Sequence, residues 1–198
     1  MSTDRHTTIG IDLRTAFEAI YLPRLIEEKM LRMIRQGRIS KWFSGYGQEA
    51  IAVGVTLALE DDDYILPMHR NLGVWTTRDV PLRRLFAQLL GRDRGFTKGR
   101  DRTFHFGLPH KRIVGMISHV GAMIPVAAGL GVASKYRKEG FVTACFIGEG
   151  ASREGDFHEA LNLAATWTLP VIFVIENNGY GLSTPTEDAM VVEDLSLA

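Results

Sequence analysis

Glu149 stands between two glycines, in Gly148-Glu149-Gly150, and a pair of asparagines, Asn177-Asn178, follows with room for one helix and one strand between. A carboxylate and an amide oxygen suit a hard cation such as Mg²⁺, which takes oxygen ligands in octahedral geometry and shares them with phosphate. The glycines let backbone approach phosphate oxygens. A helix beginning after Gly150 would aim N–H groups and the positive end of its dipole at the same anion. Each part alone is a weak signal, because Gly-Glu-Gly occurs by chance and paired asparagines are common in turns. Together they need a fold that returns Asn178 to the side of Glu149.

The surrounding pattern supplies one. Phe141 to Ile147 and Val171 to Ile175 are continuous apolar runs of strand length, and Glu154 to Trp167 reads as a helix between them. That is the pattern of a parallel βαβ unit. Glu149 and Asn178 then both fall at the C-terminal edge of the sheet, where α/β folds bind ligands. Upstream, Gly121 to Arg137 reads as a buried helix, and Tyr64 to Leu66 as a short strand leading into a loop, Pro67 to Gly73. Further helices are expected over Gln48 to Leu59 and between Pro81 and Gly91, with an irregular basic loop from Arg92 to Arg112. Asp12 should cap a long amphipathic helix with an apolar stripe of Leu13, Phe17, Ile20, Leu25, Met30 and Ile34, kinked at Pro23 and ended by Gly37. The expectation is an α/β fold with a doubly wound parallel sheet flanked by helices. Residues 1–40 would form an N-terminal helical segment and 41–198 the ligand-binding α/β domain. Such a sheet calls for strands beyond Ile175, so the domain reads as incomplete at its C-terminal end.

Charge narrows the function classes. Lys plus Arg and Asp plus Glu are equal at 23 each, so nothing calls for nucleic acid or marks an acidic tail. The single cysteine, Cys145, excludes an intrachain disulfide and sits in an apolar strand, as an inert core residue would. The first residues lack the apolar core of a signal peptide, and no stretch is long and apolar enough to span a membrane. The chain reads as a cytoplasmic, bacterial protein.

The run Gly148-Glu149-Gly150-Ala151-Ser152-Arg153-Glu154-Gly155-Asp156-Phe157-His158-Glu159-Ala160, with Leu169-Pro170-Val171 and Glu176-Asn177-Asn178-Gly179-Tyr180-Gly181-Leu182-Ser183-Thr184-Pro185, resembles the α subunits of thiamine diphosphate-dependent 2-oxo acid dehydrogenases. The likeness extends from about Arg38 to Pro185. It implies a thiamine diphosphate-binding fold, with Mg²⁺ held by Glu149, Asn178 and the backbone oxygen of Tyr180, and cofactor contacts from Gly148, Gly150 and Ala151. It implies that Arg70 grips the diphosphate with its planar guanidinium. His69, where the family has tyrosine, would donate to phosphate or pack. Ser118 and Val120 match positions against the aminopyrimidine ring, with Val120 as the apolar wedge that bends the cofactor. Leu182 matches an apolar residue under the ring, and His105 a histidine near the substrate. Ala122 and Met123 stand where branched-chain enzymes place oxygen ligands for potassium, so that site is not expected. His119 has no counterpart in the family. His6, His110 and His158 read as surface or structural, and Glu49 as structural or interfacial.

The resemblance also implies what lies elsewhere. The glutamate that activates the aminopyrimidine comes from a β subunit, and a second active-site histidine lies beyond Ala198 in the family. The expected partners are therefore a β subunit, in an α₂β₂ assembly or as a fused β domain, and a lipoyl-bearing acyltransferase component. The substrate would be a small 2-oxo acid, oxidatively decarboxylated with transfer of the acyl group to lipoyl. The family usually carries Gly-Asp-Gly. Glu149 in its place looks like branched-chain enzymes, whereas Glu176 looks like pyruvate enzymes; branched-chain substrates are favoured. Acetoin-cleaving enzymes share nearly all these motifs. A nucleotide-binding Rossmann module is disfavoured by the missing Gly-x-Gly-x-x-Gly. A non-catalytic subunit that only shapes an assembly is the rival from another class.

Overall fold

The computed structural model describes residues 10, 12–101, 103–192 and 194–195; His6, Arg102 and the rest of residues 1–9 lie outside them. The chain forms two compact units. One gathers the described residues up to Glu60 with Asn71–Leu82, and the other Asp61–Arg70 with the residues from Arg83 onward.

The first unit is helical: α1 (Leu13–Arg35), α2 (Glu49–Ala58) and α3 (Leu72–Thr77). Asp12 caps α1 as its side-chain type predicts, accepting from the Thr15 N–H at 3.4 Å. The helix runs through Pro23 as one element and ends before Gly37. Its buried face corrects the sequence reading. Pro23, Ile26, Glu27, Met30 and Met33 are buried, whereas Leu13, Phe17 and Leu25 of the expected stripe are exposed. α1 has two apolar faces, and periodicity alone does not say which one packs. The buried Glu27 carboxylate is matched by three donors: Trp42 Nε1 at 2.6 Å, Ser44 Oγ at 2.8 Å and the Gly45 N–H at 2.9 Å. Glu49, also buried, takes both ends of the Arg24 guanidinium at 2.6 and 2.9 Å. Burial pushes its carboxyl up, but the Arg24 hydrogen bonds, with backbone N–H groups of Glu49 and Gly47, outweigh that and hold it below the usual carboxylate range. Glu49 is thus a structural residue of this unit. α3 was not expected: its first two residues fall in the anticipated loop Pro67 to Gly73, and the stretch after Gly73 carried no assignment.

The second unit contains the sheet. β1 (Tyr64–Leu66), β2 (Thr143–Gly148) and β3 (Val171–Glu176) lie side by side in that order, all parallel. The parallel α/β architecture expected from the apolar runs is present. Leu66, Cys145 and Phe173 share one row across the sheet. On that face pack α5 (Met123–Arg137) and α6 (Gly155–Thr166), through Ile124, Ala127, Ala128, Phe157 and Ala160. Gly131 of α5 lies so close to β3 that a Cβ there would stand 2.5 Å from Val171 Cγ2. Helix α4 (Leu82–Leu89) matches the segment bracketed by Pro81 and Gly91. After β3 come a two-residue antiparallel pair, β4 (Tyr180–Gly181) with β5 (Thr184–Pro185), and the short α7 (Thr186–Ala189). Among the described residues no helix is long and apolar enough to cross a membrane.

Candidate functional site

Parallel pairing decides where the chemistry sits. Gly148 pairs with Glu176, so Glu149 and Asn177-Asn178 leave the sheet together at the ends of neighbouring strands. The Glu149 N–H donates to the Glu176 carbonyl at 3.3 Å. Beyond the strands the two loops touch: a Cβ on Gly150 would stand 3.5 Å from Gly181 Cα, and one on Gly181 would meet Arg153 Nη2 at 3.4 Å. Two glycines opposite each other permit this approach of backbone to backbone. Met68 reaches the same edge, its sulfur 3.9 Å from the place of a Gly148 Cβ, which brings in the loop carrying His69 and Arg70. Gly121 backs onto the Glu154 side chain, and so the segment Ser118–Val120 borders it too.

The side chains fall into two sets. In the first, Glu149 is 5% exposed. Its backbone is tied down, with the carbonyl accepting from the buried Ser152 hydroxyl at 2.7 Å. Its carboxylate has no hydrogen bond or ion pair among the described residues. Asn178 Oδ1 accepts from the Tyr180 N–H at 3.0 Å, and Asn177 Oδ1 from the Gly179 N–H at 3.0 Å. These two turns hold the exit loop of β3 and leave Asn178 Oδ1 a second lone pair. Arg70 is half-buried, and its guanidinium has neither hydrogen bond nor ion pair among the described residues. A short 3₁₀ turn, Ala151–Arg153, follows Gly150, so the N–H groups nearest the glycines belong to it and α6 starts only at Gly155.

In the second set, His105 Nε2 lies 2.8 Å from Ser118 Oγ, and its Nδ1 3.2 Å from Thr103 Oγ1. Phe104 and Phe106, both buried, anchor the backbone on either side of the histidine. Gly115 makes the arrangement possible. It has φ +86°, and a Cβ there would stand 2.5 Å from the Phe106 carbonyl oxygen. Apolar residues complete the site: Val120 is 65% exposed and Leu182 94% exposed, and Leu182 holds the left-handed conformation at φ +59°. A bulky residue there is an outlier that its surroundings must enforce. Grooves along α6, lined by residues such as Leu161, Leu169 and Phe173 or Pro125, Leu163 and Thr166, contain none of the candidate residues. The site is an open edge of the chain.

Residues 18–197 match the family described as dehydrogenase E1 component. The chain belongs to this family. Among its relatives, the α subunit of acetoin:2,6-dichlorophenolindophenol oxidoreductase of Bacillus subtilis is 38% identical over 87% of this chain and 52% of its own length. The α subunit of 2-oxoisovalerate dehydrogenase of Bacillus subtilis is 37% identical over 99% of this chain and 61% of its own. The α subunit of the pyruvate dehydrogenase E1 component of Rhizobium meliloti is 34% identical over 91% and 52%. The chain thus spans roughly half to three fifths of these curated relatives.

The residues of this E1 chain fit a metal-bound diphosphate. The carboxylate of the buried residue Glu149 and the half-buried Arg70 guanidinium, neither with a partner among the described residues, suit a cation and an anion respectively. No cluster of three His, Cys, Asp or Glu exists among the described residues. A site of one carboxylate, one amide and one carbonyl oxygen, completed by phosphate, does not need one. Reasoning from sequence missed Ser152, Arg153 and Thr103. A buried serine, an arginine beside Gly181 and a threonine two residues before a histidine carry no distinctive spacing.

Proposed function

We propose that this E1 chain holds the diphosphate and Mg²⁺ end of thiamine diphosphate, as the α part of an enzyme that oxidatively decarboxylates a branched-chain 2-oxo acid and passes the acyl group to a lipoyl group. The observation that carries the reading is Glu149, 5% exposed, whose carboxylate has no partner among the described residues, at the strand end where Gly150 meets Gly181. Glu149, Asn178 and the Tyr180 carbonyl would hold the metal. Arg70 and His69 would hold the diphosphate, with Gly148, Gly150 and Ala151 letting backbone come close. Ser118, Val120 and Leu182 would meet the cofactor's rings. Bound thiamine diphosphate supplies the nucleophilic carbon and the electron sink that decarboxylation of a 2-oxo acid requires. The protein's part is orientation: His105, tied to Ser118, holds a ring nitrogen at the site edge, where it orients the substrate or moves a proton.

The exposure of Val120, Tyr180 and Leu182 supports a second wall, which we assign to a β subunit in an α₂β₂ enzyme or to a fused β domain, with a lipoyl-bearing acyltransferase as the next partner. We place the enzyme in the cytoplasm. Acetoin cleavage is the second reading, favoured by the likeness to an acetoin oxidoreductase α subunit. The test is calorimetric titration of the assembled enzyme with thiamine diphosphate and Mg²⁺, then kcat/KM for 2-oxoisovalerate, pyruvate and acetoin. Binding lost in Glu149→Ala and Asn178→Ala, with 2-oxoisovalerate preferred, supports the proposal. Undiminished binding in both variants removes the metal assignment, and a preference for pyruvate or acetoin removes the substrate.

A further inference from the structure

His105 is held at both ring nitrogens by hydroxyls, Ser118 on Nε2 and Thr103 on Nδ1. A neutral imidazole has one N–H and one acceptor nitrogen, so only two arrangements exist. If Nδ1 carries the proton, it donates to Thr103. Ser118 then spends its hydrogen on Nε2, and the Thr103 hydrogen finds no acceptor among the described residues. If Nε2 carries the proton, Thr103 donates to Nδ1, Nε2–H donates to Ser118 Oγ, and every donor of these three side chains is used except the Ser118 O–H. The second arrangement satisfies the half-buried Thr103 and leaves Ser118 able to donate outward.

The backbone agrees. The Phe106 N–H donates to the Phe104 carbonyl at 2.8 Å, a tight turn centred on His105 that fixes the backbone but not the ring. Thr103 itself has φ +54°, a left-handed conformation that a β-branched residue adopts only under constraint and that glycine would take freely. What threonine adds at this strained position is a hydroxyl on the histidine. We propose that Thr103 is the positioning residue that sets the His105 tautomer, so that Ser118 keeps its hydroxyl hydrogen for an acceptor atom on the bound cofactor or substrate. This rests on the cofactor reading above and adds to it a residue that neither the motif nor the resemblance singles out.

The experiment reads the tautomer directly. The full chain, labelled with ¹⁵N-histidine, is observed by long-range ¹H–¹⁵N correlation at a pH where His105 is neutral. Wild type should show the Nε2–H form, and T103S should keep it. T103V and T103G should lose it to a mixture or to the Nδ1–H form. T103G also relaxes the positive φ, so its melting temperature should not fall; this separates lost positioning from a damaged fold. In the assembled enzyme T103V and T103G should lower kcat about ten-fold, part of the roughly 10²–10⁴ that a placed proton-transfer group contributes, and T103S should restore it. An Nδ1–H tautomer in wild type overturns the proposal. So does an unchanged tautomer or an unchanged kcat in both T103V and T103G. Failure of the wild-type enzyme to bind thiamine diphosphate would strike the cofactor reading instead, and the tautomer, measured without cofactor, tells the two failures apart.

Discussion

Replacing Glu149 by glutamine should stabilise the ligand-free protein and remove its response to cofactor. The side chain is 5% exposed and its carboxylate has no hydrogen bond or ion pair among the described residues. An unsatisfied buried polar group costs about 1–3 kcal/mol, more when charged. Glutamine keeps the shape and removes the charge, but its amide still lacks partners among the described residues and neither Glu149 oxygen is fully enclosed, so a gain of at most about 1 kcal/mol is expected. In a chain of 198 residues, 1 kcal/mol moves Tm by about 2–4 °C, which puts ligand-free E149Q at most about 4 °C above wild type. With ligand the order reverses. Wild type at a hundred times Kd gains about 2.7 kcal/mol, or about 5–11 °C, and the variant gains little. The assay is calorimetric melting of the assembled protein with and without Mg²⁺ and thiamine diphosphate. A lower Tm for ligand-free E149Q would refute the claim that the carboxylate is unsatisfied. A full ligand-induced shift in the variant would refute its role in holding the metal.

Gly131→Ala should destabilise by about 1–3 kcal/mol despite better helix propensity, because its methyl would stand 2.5 Å from Val171 Cγ2; urea unfolding measures it, and an unchanged midpoint would count against the close packing of α5 on β3. Arg24→Ala leaves the Glu49 carboxylate buried without its main partner. The expected loss is about 2–4 kcal/mol, under the full cost of a wholly buried pair because Arg24 keeps 32% exposure. The folded Glu49 pKa is depressed, so wild type's advantage over the variant should be present above the unfolded carboxylate value and shrink as pH falls through the folded one; a gap that is constant down to low pH would contradict the pairing. Burial pushes the Cys145 thiol up to about 12, so alkylation should need unfolding, and reaction at the unfolded rate under native conditions would contradict its placement in the core. The same shift makes stability decline as pH rises from the unfolded thiol value toward 12, since only the unfolded chain then ionises.

Local chemistry made much of this protein legible from its residues. The apolar runs at 141–147 and 171–175 read as strands, and the helix between them implied the parallel pairing that puts Glu149 and Asn178 on one edge, but only β2 is buried along its length, whereas β3 leaves Ile172 exposed. Asp12, Pro81, Gly37 and Gly91 act within a turn of themselves, so the helix ends they mark were legible too. What depends on contacts distant in sequence was not. Which apolar face of α1 is buried is decided by what packs on it, and so the exposure of Leu13, Phe17 and Leu25 could not be read from period alone. Helix α3 hides in a stretch whose pattern is too short to distinguish from a loop. That Glu149 lacks a partner among the described residues while the Glu27 and Glu49 carboxylates are hydrogen-bonded is a property of their neighbours, since all three are buried glutamates. The joining of Thr103, His105 and Ser118 needs Gly115 to let one loop lie against another, and only the folded chain brings those hydroxyls to the two nitrogens of one ring.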